Sequence, residues 1–291
     1  MIFNYKILKD TKVSEYLKSF YLSKSKIYKL FTEDSILVNN EIINKDCCLS
    51  KNDTLSIILN ENIDYIPEDK KIDILYEDDY LLIINKPKSI IIHNDSKDKL
   101  GSLCNVVANY YLKKNLDLNV RFAHRLDIDT TGIIIFCKDI LSLAYMNHII
   151  ESHELNRYYY ALVSNKINNK SGVINLPIGE DRHHKSRRRV SKTGQNAITY
   201  YKVLLENKDY SLVEVLLKTG RTHQIRVHFS HIGNPLLGDS LYGGSKKYID
   251  RCALHSQRVE FIHPVYKTKI SLKCELPLDM KRLIGDFSEE K

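Results

Sequence analysis

The sequence predicts an α+β fold made of a small front unit and a larger second one, and three observations point to it. Apolar residues recur at roughly helical spacing between Val13 and Phe31, and short β-prone runs follow up to residue 60. A polar stretch containing Pro67 then interrupts the pattern. From Ile72 onward strand-like runs dominate, with helical stretches between them in no regular β-α alternation. That mixture predicts a mostly antiparallel sheet. The expected organisation is a domain over residues 1–60, a linker over 61–70 and a second domain over 71–291.

In the front unit, Val13, Leu17, Phe20, Ile27, Leu30 and Phe31 mark two helices, broken at Leu22-Ser23-Lys24-Ser25. Ser23 or Ser25 can cap the second helix. Two β-prone runs around Asn39-Asn40 read as a hairpin, and Thr54–Leu59 as another strand. Lys12, Lys18, Lys24, Lys26 and Lys29 decorate the helices, and a solvated helix face is the bland account of them. The order of two helices with a Ser-Lys-Ser-Lys-Ile-Tyr-Lys-Leu turn, then a Val-Asn-Asn-Glu-Ile-Ile hairpin, resembles the S4 RNA-binding module. The resemblance covers about residues 10–59. It implies that the basic helices, with Lys24, Lys26 and Lys29, contact phosphates of structured RNA, which position a protein without reading much sequence.

In the second unit, strands are expected at Ile72–Tyr76, Tyr80–Ile84, Ile90–Ile92, Gly132–Cys137, Arg157–Val163, Ala197–Leu205, Tyr210–Leu217 and Lys269–Cys274. Helices are expected at Leu103–Lys113 and Leu141–Ser152. The chain of 291 residues is 43% hydrophobic, enough for one or two units with proper cores. Its net charge of +8 favours a polyanionic partner, nucleic acid or an acidic membrane surface. No apolar run approaches the roughly 18–20 residues of a membrane span. Met1-Ile2-Phe3-Asn4-Tyr5-Lys6 lacks the pattern of a signal peptide. A cytoplasmic protein with no membrane partner is therefore expected. The six cysteines form no C-x-x-C pair and read as reduced, mostly buried residues.

Four segments could carry chemistry. The first is Arg121-Phe122-Ala123-His124-Arg125-Leu126-Asp127-Ile128-Asp129-Thr130-Thr131-Gly132, a polar loop running into the apolar strand Ile133–Phe136. Catalytic groups commonly sit on such loops. Beside Arg125, the Asp127 carboxylate is expected to stay an anion, able to act as nucleophile or base. The bland alternative is that Asp127 only braces the turn. A third option pairs Asp127 with Asp129 as a D-x-D magnesium site, against which the adjacent Arg125 argues.

The second segment, Lys218 to Gly233, places Ile225, Phe229 and Ile232 on one face of a helix, with Thr222 as N-cap and Gly233 as its stop. Its His spacing does not suit zinc, since His223 and His228 point to different faces and no H-E-x-x-H is present. A buried Arg226 near the helix start needs a carboxylate, and Asp127 is the candidate. The third segment is the basic run Asp181 to Lys192, holding Arg187, Arg188 and Arg189, either a solvated loop or a phosphate-binding one. The fourth is Arg157-Tyr158-Tyr159-Tyr160-Ala161-Leu162-Val163, in which one Tyr packs in the sheet or stacks on an RNA base.

Together these runs resemble the RluA/RluD-type pseudouridine synthases of large-subunit ribosomal RNA. The resemblance covers about residues 70–285. It rests on Tyr76–Pro87, on His124-Arg125-Leu126-Asp127 with Thr130-Thr131-Gly132, on Arg157–Val163, on Thr219–His228, on Gly238-Asp239 with Leu241-Tyr242-Gly243, and on Leu254-His255-Ser256 with His263-Pro264-Val265. It implies a pseudouridine synthase domain in which Asp127 is the catalytic aspartate. Tyr159 would stack on the target uracil and help proton transfer, and Arg226 would pair with Asp127. Arg125 would hold the flipped-out site, with His124, Arg221 and the Arg187–Arg189 run also on the RNA side. The implied reaction cleaves the N1–C1′ bond, turns the uracil and rejoins it through C5, with no cofactor and no metal. The implied partner is structured RNA, large-subunit rRNA foremost, met by a monomer. Four departures stand out: Ser89 where the family usually has Gly, Thr131 for Ser, Arg157 for Lys, and the Cys47-Cys48 pair, which is not a feature of the family. The rivals are a non-catalytic RNA-binding or ribosome-assembly factor on the same fold, and a magnesium nuclease whose activity EDTA would abolish.

Overall fold

The computed structural model describes residues 1–184 and 186–285; Lys185 of the basic run and residues 286–291 of the expected second domain lie outside them. The front unit is a four-stranded antiparallel sheet in the order Ile2–Lys6, Thr54–Ile58, Ile36–Val38, Glu41–Ile42, covered by helices α1 (Val13–Lys18) and α2 (Lys24–Thr32). Asn39 and Asn40 both take positive φ, +51° and +72°, which the tight turn of the expected hairpin demands. Ser23 caps α2 by accepting from the backbone N–H of Lys26. The strand Ile2–Lys6 lies outside the sequence expectation.

The larger unit carries a ten-stranded mixed sheet. Its main path runs Ser171–Asn175, Ile198–Glu206, Tyr210–Leu217, Asn156–Ser164, Leu254–Ile262, Thr131–Cys137, Leu81–Lys86, Ile74–Glu77. All pairings are antiparallel except one, Thr131–Cys137 beside Leu254–Ile262. Helices α3 (Leu103–Lys113), α4 (Ile140–Glu151), α5 (Gln224–His231) and α6 (Leu278–Gly285) complete the fold. Most expected elements fall within a residue or two of their observed bounds.

The run Ile90–Ile92 is a correction. It makes a single bridge, Ile91 to Ser102, because the backbone N–H groups of Leu103 and Cys104, at the start of α3, donate to the carbonyls of Ile91 and Ile92. Ser89 turns the chain into this run at φ +60°, the left-handed conformation that explains why glycine suits that position.

The two units share one continuous apolar core. Tyr5 donates to the Oδ1 of Asp139 at 2.8 Å, and that same buried oxygen accepts from Leu141 N and Ser142 N to cap α4. Phe20 meets Tyr145 edge-on, and Tyr21 stacks on His148 at 3.4 Å. The stretch 61–70 has no regular structure but is tied down: Asn105 Nδ2 donates to Ile66 O, and Gly101 N to Glu68.

Candidate active site

The site forms where the single parallel strand pair begins. Across the sheet, Lys86, Gly132, Ser256 and Tyr159 stand in one row. This row sets Tyr159 level with the loop that precedes Gly132. A Cβ at Gly132 would fall 2.2 Å from Ser256 O, and its φ is +105°, so only glycine lets the strands approach here.

Two buried cations hold the backbone of the Asp127 loop. Lys86 Nζ donates to Ile128 O at 2.8 Å, and Arg251 Nη1 donates to Asp129 O at 3.0 Å. Arg251 is anchored in turn by a bidentate contact with Asp279. Burial pulls the Lys86 ammonium down to about 7, against the opposing charges of Asp129 and Asp127. With Ile128 and Asp129 fixed, the half-buried Asp127 side chain projects from a rigid turn closed by Thr130 N donating to Asp127 O.

Arg226, on the first turn of α5, meets that side chain. Its Nη1 donates to Asp127 Oδ2 at 2.9 Å, while Nε and Nη2 make a bidentate pair with Asp239 at 2.7 and 2.8 Å. The expected Arg226–Asp127 pair is present, and the second carboxylate fixes the guanidinium plane. Burial pushes the guanidinium down, but the Asp239 hydrogen bonds and the nearby negative charges, Asp127 among them, more than reverse this. The guanidinium also lies over the Tyr242 ring, 4.9 Å from its centroid.

Tyr242 links three parts of the site. Its hydroxyl accepts from Arg188 N at 2.8 Å and lies 2.9 Å from His223 Nδ1. His223, not Thr222, occupies the N-cap of α5, at φ +58° and without a capping bond, because its ring is directed to Tyr242. Its Nε2 lies 3.8 Å from Asp127. Burial holds the His223 imidazole down, with Asp127 opposing. A non-glycine residue in the left-handed region beside a candidate catalytic group is the kind of strain that functional sites store.

Tyr159 is 4% exposed and faces a cavity of about 70 Å³ that Asp127, Arg125 and Arg226 also line. Burial raises its phenol, which favours the neutral ring. The cavity adjoins a groove of about 790 Å³ bordered by His93, Phe122, Arg125, Asn147, Glu151 and Arg221. Arg125 is exposed at the boundary of the two. His124 is buried behind it, and burial followed by the charge of Arg157 pulls its imidazole down to about 3.

The basic run is more ordered than a solvated loop. Arg188–Val190 pairs with Ile178–Glu180, and Arg187 lies over the Tyr242 ring at 5.3 Å. Arg189 is exposed, Arg221 is exposed at the cavity's edge, and Lys24, Lys26 and Lys29 are exposed on α2, away from the cavity. His228 is structural, bonded to Thr199 and to Leu176 O. Among the described residues no group of three or more metal-ligating side chains gathers, and no helix is long and apolar enough to cross a membrane.

Sequence reasoning did not single out Asp239, Tyr242, Lys86, Arg251 or His223 for the site. The buried Arg226 was itself the signal for Asp239, since three charge-assisted donors need more than one carboxylate.

The chain is similar to known proteins over most of its length. A family model described as RNA pseudouridylate synthase matches residues 80–231. The "Uncharacterized RNA pseudouridine synthase YhcT" of Bacillus subtilis is 43% identical, covering 91% of this chain and 89% of its own. Ribosomal large subunit pseudouridine synthase D of Buchnera aphidicola is 34% identical, covering 90% of this chain and 89% of its own. The solved structure titled human RNA pseudouridylate synthase domain containing 4 aligns with a TM-score of 0.60 at 25% identity, covering 73% of this chain and 93% of that one.

Proposed function

The chain belongs to the RNA pseudouridylate synthase family and isomerises uridine to pseudouridine, and from that premise we propose that Asp127 is its catalytic carboxylate and large-subunit ribosomal RNA its substrate. The observation that carries the reading is the arrangement Asp127–Arg226–Asp239 at the wall of a small cavity closed by Tyr159. A uracil in that cavity stacks on the neutral Tyr159 ring. Asp127, oriented by Arg226, faces the nucleotide. The N1–C1′ bond breaks, the base turns, the C5–C1′ bond forms, the hydrogen on C5 leaves as a proton and N1 takes one up, so that the net change is an isomerisation. The scheme uses no cofactor and no metal.

Reaching a base inside structured RNA requires flipping it out, at a cost of a few kcal/mol. Arg125, exposed at the cavity mouth, is placed to occupy the vacated space or to touch phosphate. His124 shapes the loop from behind. The front unit acts as an S4-like RNA module in this reading. The large groove and a smaller cleft lined by Tyr21, Ser23 and Lys26 share Asn147 and Glu151, so an RNA strand can run from the cavity over α4 to α2. Lys24, Lys26 and Lys29 then meet phosphates at one end, and Arg221 with Arg187, Arg188 and Arg189 at the other. The protein is expected to work as a monomer in the cytoplasm. The test is incubation with unmodified large-subunit rRNA and chemical mapping of pseudouridine. New pseudouridine at discrete positions, resistant to EDTA, is expected; its absence from that RNA removes the substrate assignment.

A further inference from the structure

Arg157 has no place in the scheme so far, yet it is the least satisfied charge in the molecule's working end. It is 6% exposed. Its Nε is buried without a hydrogen-bond partner, and its side chain makes no ion pair or hydrogen bond with any described residue. An arginine side chain is always charged and carries five N–H donors in a planar fork. Leaving such a cation buried and uncompensated is strongly unfavourable, so native proteins pair it. Asp127, which lines the same cavity, is committed to Arg226, and the exposed Glu151 of the groove makes no ion pair or hydrogen bond with Arg157 among the described residues.

The position of the guanidinium says what its partner is. Arg157 borders both the cavity beside Tyr159 and the adjoining groove, together with Arg125 and Arg221. Gly220 makes room for it: a Cβ there would stand 2.9 Å from Arg157 Nη1. With the uracil in the cavity and the strand in the groove, the boundary is where the sugar–phosphate backbone leaves the base. Three cations around one boundary repel one another until an anion joins them. A uracil carbonyl would satisfy one N–H but neutralise nothing, whereas a phosphodiester offers two oxygens that match the fork.

We propose that Arg157, lodged against Gly220, binds a phosphodiester flanking the flipped uridine and so fixes the nucleotide's backbone while the base turns. This rests on the cavity beside Asp127 being the uridine site. The pocket would take any nucleotide whose backbone carries a charged phosphate at that linkage, and reads no base identity.

The test uses the full chain and a stem-loop RNA containing a uridine the protein modifies. The linkages 5′ and 3′ of that uridine are each replaced in turn by a neutral methylphosphonate. Single-turnover isomerisation by the wild type should slow about tenfold to a hundredfold at one of the two, the loss expected for a hydrogen bond to a charged partner. Arg157→Gln should slow the native RNA by a similar factor and lose nothing further on the neutral linkage, while Arg157→Lys should keep most of the sensitivity. Should Arg157→Gln not fold, Gly220→Ala decides: by displacing the guanidinium it must blunt the response to methylphosphonate. Wild type indifferent to both neutral linkages, or penalties that simply multiply in the variants, overturns the assignment. Undiminished isomerisation of the native stem-loop by Asp127→Asn would instead overturn the reading of the site itself.

Discussion

Replacing Asp239 by asparagine exchanges one carboxylate oxygen for an amide of nearly the same shape, and the consequences follow from the geometry. Asp239 is 2% exposed and accepts from Arg226 Nε at 2.7 Å and from Nη2 at 2.8 Å. The asparagine oxygen can keep one of these bonds. Its NH₂ then faces the other guanidinium N–H, donor against donor. One charge-assisted bond is worth about 1.5–3 kcal/mol. With the unfavourable contact added, Asp239→Asn should cost about 3 kcal/mol of stability, read as a lower urea midpoint at unchanged slope. The guanidinium plane, no longer fixed on that side, presents Nη1 less accurately to Asp127. Asp239 does not line the cavity, so the loss of activity should lie in kcat, by about tenfold or more, with KM for RNA little changed. A variant within about 0.5 kcal/mol of wild type and with the same kcat would show that Asp239 does not hold Arg226 in place.

Three further predictions concern Arg226, two buried histidines and Gly132. Arg226→Ala should lower the isomerisation rate far more than RNA affinity measured by filter binding; equal losses would make Arg226 a phosphate contact. It should also destabilise the fold by about 3–5 kcal/mol, because it strands the buried Asp239. Burial holds His255 at about 4 and His124 at about 3, both below the ordinary 6.5, so the unfolded chain takes up these protons first on acidification. Their stabilisation is complete above pH 6.5 and is lost as pH falls through about 4 and then 3, so thermal melts should drop progressively in that window; a flat melting temperature from pH 6.5 to 4 contradicts it. Gly132→Ala, with its Cβ 2.2 Å from Ser256 O, should force the parallel strands apart and abolish soluble folded protein; a normally melting variant refutes the close-approach argument.

What was legible in the sequence is what depends on neighbours along the chain. The periodicity of Leu103–Lys113 and the continuous apolar run after Gly132 specified their elements almost to the residue. The central strand Leu254–Ile262 was not legible, because His255, Ser256, Gln257 and Arg258 break its apolar pattern. Buried His255 is tolerated there because both ring nitrogens find partners, Nδ1 at Thr131 Oγ1, 2.8 Å away on the neighbouring strand, and Nε2 at Cys274 O. The site divides in the same way. Asp127 and Arg226 stand in dense local motifs, and a buried arginine's need for a carboxylate joined them. Lys86 and Arg251 act through backbone carbonyls of Ile128 and Asp129, and nothing local in their own segments announces that. Tyr242 lies in a short turn whose importance comes from what folds onto it, namely His223, Arg226 and Arg188.

The most direct measurement of the central claim uses RNA labelled with tritium at C5 of uridine, because forming the C5–C1′ bond expels that hydrogen. Wild type and Asp127→Asn are compared at equal, saturating concentrations, with folding of the variant verified by its melting curve. The account predicts tritium release by the wild type and none above background by the folded variant. Release by Asp127→Asn at a rate near that of the wild type would contradict it, and would return Asp127 to the role of a brace for its turn.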